Sequence, residues 1–226
     1  MSGHSIVTFR NSVPGAQALA ESIAHSPTIQ ALNQTVWAFS LVEISHLLLL
    51  TMLGGAVLVL SLRVLGLALS GVSVQDVERM TRPWLRIGTV GGIISGTFMS
   101  IATALTLVAN GAFFIKILAL VAAVLFSFAL AGRIRQGVGS LGQTAQGLAG
   151  LAALLFSLWL FASTRGLNTG AILIGGITVP FVALVWISRS RVSADDRRDE
   201  IARLLSVGSA IAWLVVVVAG RWIGFS

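Results

Sequence analysis

Residues 36–62 read VWAFSLVEISHLLLLTMLGGAVLVLSL, an apolar run whose only ionisable side chains are Glu43 and His46. About twenty apolar residues in a helix cross the ~30 Å hydrocarbon core of a bilayer, so this run is long enough to span it. Working outward, comparable runs follow at about 87–109, 113–131, 146–164, 170–188 and 204–220. The expected fold is all-α: a polytopic membrane bundle of about six helices.

Composition agrees. Of 226 residues, 56% are apolar and 10% are charged, with mean hydropathy +0.93. Soluble domains carry about 25% charged residues, so a soluble enzyme and a disordered regulator are both excluded. There is no cysteine, which removes disulfides, zinc fingers, iron–sulfur ligands and thiolate nucleophiles supplied by this chain. The first thirty residues lack the charged start, short apolar core and cleavage site of a signal peptide. The first apolar run is therefore expected to stay as an anchor.

The segments between the runs are a polar loop near 63–86, an Asn110-Gly111 turn, an Arg133/Arg135 loop, a turn at 165–169 and a charged stretch at 189–203. In the last, Ser193 is a candidate cap for a short amphipathic helix. The net charge of +7 comes from arginines scattered between apolar runs rather than from a nucleic-acid patch. Arg63, Arg79, Arg82, Arg86, Arg133, Arg135, Arg189, Arg191, Arg197, Arg198 and Arg203 fall on one side of the alternating spans; Arg10, Arg165 and Arg221 fall on the other. By the positive-inside rule both termini are expected outside the cytoplasm. Residues 1–35 then form an outer-face segment ahead of a transmembrane domain, 36–226. Ala16, Leu19, Ala20 and Ile23, between Pro14 and Pro27, read either as a short interfacial helix or as a surface loop. Trp37 and Trp222 fit interfacial aromatics.

Gly91-Gly92 in the second span and Gly175-Gly176 in the fifth, which also carries Pro180, are the only hint of an inverted repeat. Gly88, Gly92, Gly96 and Ser100 recur every four residues, a spacing that lets helix backbones approach closely. Packing inside the bundle is the first reading of this stripe. A seam with a homodimer or membrane-complex partner is the second.

Ionisable groups within spans cost about 2.5–3.5 kcal/mol on insertion scales, so Glu43, His46 and Lys116 need a reason. Glu43 and Lys116 start at similar depths from the outer side. They are expected to pair, lining an outward-facing polar pocket with Asn110 and Arg221, or to serve only as a buried pair that fixes helix register. Glu43-x-x-His46 matches half of a di-iron carboxylate motif, but the second half is absent, and one histidine with one carboxylate does not close a zinc or copper site. His46 as a metal ligand therefore means haem b, with Met99 at similar depth as the opposite axial ligand. A hydrogen-bonded structural histidine is the alternative. No phosphate loop, serine triad or tyrosine is present. Asp195, Asp196, Asp199 and Glu200 interleave with Arg197, Arg198 and Arg203, as on a solvated helix face or a docking face.

Val42–Leu48, Leu62–Gly66, Asn110 with Phe114 and Lys116, and the closing Gly220-Arg221-Trp222-Ile223-Gly224 resemble an uncharacterised bacterial family of small multi-spanning inner-membrane proteins, a domain of unknown function. The resemblance covers about 15–131 and 204–226, with the fourth and fifth spans reading as an insertion. It implies a multi-pass protein of the bacterial inner membrane, supplies no activity, and points to Glu43, His46, Lys116 and Arg221. The expected function is a non-catalytic integral subunit that anchors or wires a membrane complex, holding haem b or contacting quinone. The alternative is a small transporter that binds an anionic solute through Lys116 and Arg221. An enzyme acting on lipids lacks a visible nucleophile.

The charge count generates a direct test. A reporter that is active only outside the cytoplasm, fused after Ser226, is expected to be active, and a cytoplasmic reporter there is expected to be silent. The reverse pattern overturns the orientation.

Overall fold

The computed structural model describes residues 14–108, 110–137, 141–165 and 199–223, with isolated positions at 176, 179 and 183. Among them the chain is helical with no strand: α1 (Pro14–Ala24), α2 (Pro27–Gln34), α3 (Val36–Val64), α4 (Val74–Ala102), α5 (Ala104–Val108), α6 (Gly111–Gln136), α7 (Leu141–Arg165) and α8 (Glu200–Ile223). Five of these, α3, α4, α6, α7 and α8, are long and apolar enough to cross a membrane. They match five expected spans. The sixth expected span, 170–188 with Pro180, and the stretch 189–198 with the Ser193 cap lie outside the described residues, apart from the isolated positions.

The starts and stops follow local chemistry. The end of α3 is a Schellman stop: Leu67 N–H donates to Leu62 O at 2.9 Å and Gly66 N–H to Arg63 O at 3.0 Å. Gly66 takes the left-handed φ of 70° that this motif needs. The expected loop at 63–86 is much shorter, because α4 already begins at Val74. Ser73 Oγ accepts from Asp76 N–H at 3.1 Å and its hydroxyl donates to Asp76 Oδ2 at 2.6 Å, a capping arrangement written in Ser73-Val74-Gln75-Asp76. At its other end α4 stops at Ala102 rather than 109, and α5 fills the gap. Asn110 then caps α6, its Oδ1 accepting from Ala112 N–H at 3.0 Å. Asp199 caps α8 by accepting from Ala202 N–H at 3.0 Å, while Arg133 donates to both of its oxygens at 2.6 and 2.8 Å.

Packing is antiparallel between neighbours. In the α3–α4 pair Leu53 faces Gly88, Leu49 faces Gly91 and His46 faces Ser95. In the α6–α8 pair Phe126 faces Gly208 and Ser127 faces Ser209. Helix α7 lies on α6 with Gln143 at Gly132 and Gly150 at Phe126, and α3 meets α8 where the Trp213 ring covers Gly54. The core is therefore centred on α6, with Ala119, Ala122, Ala123 and Ala129 fully buried. Helices α7 and α8 both run against α6, so the ends joined by 166–199 lie at opposite ends of the bundle. The interfacial-helix reading of the N-terminal segment corresponds to α1, which packs on α5 with Ala20 buried. Asn33 of α2 donates to Ala102 O at 3.2 Å, holding this segment to the end of α4.

The glycine stripe is an internal seam at three of its four positions. A Cβ on Gly88 would meet Leu53 Cβ at 2.6 Å and Leu49 O at 3.1 Å, one on Gly92 would touch Leu50, and one on Gly96 would touch His46.

Two glycines should behave oppositely. A Cβ on Gly208 would lie 2.9–3.0 Å from the Phe126 ring, whereas Gly55 has open space. Gly208→Ala is expected to lower stability in detergent by about 1–3 kcal/mol through overpacking. Gly55→Ala should be neutral or slightly stabilising, since Ala is the better helix former. Thermal melts of both variants check this, and equal melts would remove the close-contact account of α6–α8.

Candidate functional site: a polar layer across four helices

The contacts above bring His46 of α3, Ser95 of α4, Lys116 of α6 and Gly220 of α8 to one level near the N-terminal ends of α3 and α6. With Trp213 opposite Gly54, the antiparallel register of α3 and α8 puts His46 level with Arg221. In α6–α8, Lys116 lies against Gly220: a Cβ there would be 3.6 Å from Lys116 Cε and 3.8 Å from its Nζ.

His46 is buried, and its Nδ1 lies 2.9 Å from Ser95 Oγ. The serine hydroxyl points elsewhere, donating to Gly91 O at 2.6 Å. A hydroxyl has one proton, so the shared hydrogen between His46 and Ser95 belongs to the imidazole. Nδ1 is the protonated nitrogen and Nε2 carries the lone pair. Gly96 makes room for the ring, since a Cβ there would lie 3.0 Å from His46 Cε1. Nε2 has no hydrogen-bond partner among the described residues and is not sealed in the interior; the same holds for Lys116 Nζ. Lys116 is the described charge that His46 feels.

The other expected site residues are placed differently. Glu43 is exposed and has no ion-pair or hydrogen-bond partner among the described residues. The expected Glu43–Lys116 pair is not formed: equal depth did not make equal azimuth, and Lys116 leans on α8 instead. Asn110 is buried and committed to structure, with Oδ1 on Ala112 N–H and Nδ2 donating to Ile223 O at 3.3 Å. It straps the start of α6 to the end of α8, on the outer side of the Lys116–Gly220 level. Arg221 is exposed at that same end of α8. Of the expected pocket, then, Lys116 joins His46, while Glu43 stands outside it.

Met99 sits one turn beyond Ser95 on α4 and is half-buried. A haem between His46 and Met99 needs a macrocycle's width between α3 and α4. At this level the His46 ring packs beside Gly96, where an added Cβ would lie 3.0 Å from Cε1. Among the described residues no group of three His, Asp or Glu side chains surrounds a common point.

Sequence reading missed Ser95, which sits beside the small-residue stripe; its signal was its place opposite His46 in an antiparallel hairpin. It also missed two buried polar atoms with no partner, Ser61 Oγ and Trp213 Nε1. Ser127 and Ser209 were missed as well. Ser127 donates to Ala123 O at 2.6 Å and accepts from Ser209 at 2.9 Å, an interhelical link inside the core.

The His46–Ser95 bond can be tested by a double-mutant cycle. Ser95→Ala leaves a buried Nδ1–H without an acceptor and is expected to cost about 1–3 kcal/mol. His46→Leu alone should cost a similar or smaller amount, because Ser95 keeps its bond to Gly91. A coupling of about 0.5–2 kcal/mol is expected from detergent unfolding of the four variants; zero coupling would mean the two side chains do not meet.

No curated protein and no solved structure matches this chain. A family model does match, the Family of unknown function (DUF6644), over residues 33–170. The match runs from just before α3 to just past α7, so the fourth span lies within the family region rather than in an insertion. The closing turn of α8, with Arg221, lies beyond the match. Covering well over half of the 226 residues, it establishes that the chain belongs to this family of unknown function.

Proposed function

We propose that the chain is a non-catalytic integral subunit of a bacterial inner-membrane assembly, and that its outward-facing polar layer receives the head group of a quinol. The observation that carries this reading is the His46 Nδ1–Ser95 bond, which leaves Nε2 without a partner among the described residues at the level where the Lys116 ammonium also has none. Such a pair asks for an occupant that both donates and accepts. A quinol hydroxyl donates to Nε2, and the quinol oxygen accepts from Lys116. An oxidised quinone has only acceptors and satisfies Lys116 alone. The surrounding surface suits an apolar tail, since α3 and α4 expose Leu47, Leu48, Ile93 and Ile94.

The second reading is transport of an anionic solute. It draws on the same free ammonium and on Arg221 at the outer rim, and it needs no lone pair on His46.

The two readings separate in one set of measurements on the full chain in nanodiscs and proteoliposomes. A short-chain quinol should bind, its quinone should bind more weakly, and His46→Phe and Lys116→Met should each weaken quinol binding about tenfold, the value of one charge-assisted or buried hydrogen bond. Uptake of a small dicarboxylate, lost in Lys116→Met and kept in His46→Phe, would favour transport instead. Neither binding nor uptake removes both. A Soret band in freshly purified protein would favour haem at His46 instead of either reading.

A further inference from the structure

The first half of α4 carries two adjacent exposed stripes. Arg79, Pro83 and Arg86 recur at i, i+4 and i+7, and Met80, Trp84 and Ile87 recur at the same spacing beside them. Between them Arg82 is engaged: it chelates the buried Glu78 carboxylate through both of its oxygens, Nε lying 2.9 Å from Oε1. Asp76 is held by Ser73. Both carboxylates of this half-helix are thus occupied, and Arg79 and Arg86 have no partner among the described residues. Pro83 lacks an N–H, so the Arg79 carbonyl on the same stripe loses its helical donor.

We propose that this face binds the head group of an anionic phospholipid in the cytoplasmic leaflet. The backbone positions of Arg79 and Arg86 are about 10 Å apart along the axis, a gap that two long arginine side chains can close from either side of the short Pro83 ring. Guanidinium forks match phosphate geometry. Trp84, half exposed, is a residue type that settles at the membrane interface. Beyond it Ile87, Val90 and Ile94 continue an exposed apolar path toward the bilayer interior, where acyl chains run. A free phosphate would use the arginines and leave the apolar stripe idle. A lipid uses both. The charge count that places Arg63, Arg79, Arg82 and Arg86 on the cytoplasmic side gives the leaflet.

The test uses the full chain in mixed micelles, titrated with phosphatidylglycerol or phosphatidylcholine while thermal stability is followed. Phosphatidylglycerol should raise the melting temperature well above phosphatidylcholine, and added salt should erode the difference. The Arg79→Gln/Arg86→Gln variant should lose the preference, with apparent affinity for phosphatidylglycerol falling roughly tenfold to thirtyfold. Arg135→Gln, which removes an exposed charge from the end of α6, should keep it. Retained phosphatidylglycerol in native mass spectra of the wild-type chain, absent from the double variant, gives a readout that does not depend on melting. Equal loss in Arg135→Gln would show a diffuse charge effect and overturn the site. So would an unchanged preference in the double variant, or full competition by inorganic phosphate.

Discussion

The bundle depends on one close contact, the Phe126 ring wedged between Gly150 of α7 and Gly208 of α8. Inside a bilayer, lipid tails are as apolar as leucine, so helix association draws on packing and interhelical hydrogen bonds rather than on the hydrophobic effect. Phe126 is nearly fully buried, and a Cβ on either glycine would come within 3.3 Å of its ring. The neighbouring Ser209–Ser127 bond fixes which turn of α8 meets which turn of α6. A slip of one helical turn, about 5.4 Å, would break this link and also draw Gly220 away from Lys116 and Ile223 away from Asn110. The polar layer is thus a consequence of core register several turns away.

Hydropathy made the five long helices legible, because their lengths answer to the thickness of the bilayer. It misjudged α4 for a physical reason: residues 74–86 are too charged for hydrocarbon yet form good helix, and the helix simply continues beyond the apolar zone. The Ser73–Asp76 capping pattern was the available signal. Schellman geometry at Gly66 explains why Leu62–Gly66 stood out as a motif; it ends a helix rather than contacting a ligand.

The site was half legible. Depth follows from counting residues at about 1.5 Å each, and counting placed His46 and Lys116 in the outer part of the bundle. Azimuth turns by about 100° per residue and depends on which helix sits next door, which residue spacing alone does not determine. Glu43 therefore appeared to be the natural partner of Lys116 yet lies on the exposed surface. Ser95, unremarkable among glycines, turned out to set the His46 tautomer.

The absence of a Glu43–Lys116 pair changes what the layer is fit for. A cation in low dielectric normally needs a carboxylate, and a paired ammonium is spent on its partner. Lys116 instead leans on the last turn of α8, where the final carbonyls lack intrahelical donors and present the negative end of the helix dipole. That environment offsets part of the cost of the charge without forming an ion pair. Among the described residues the ammonium keeps its donors free, just as the bond to Ser95 leaves the other His46 ring nitrogen free. A bundle that only needed to fix its register would gain more from joining these groups to each other or to Glu43. Among the described residues a donor and an acceptor instead stand open at one level, and it is on this that the proposed quinol site rests.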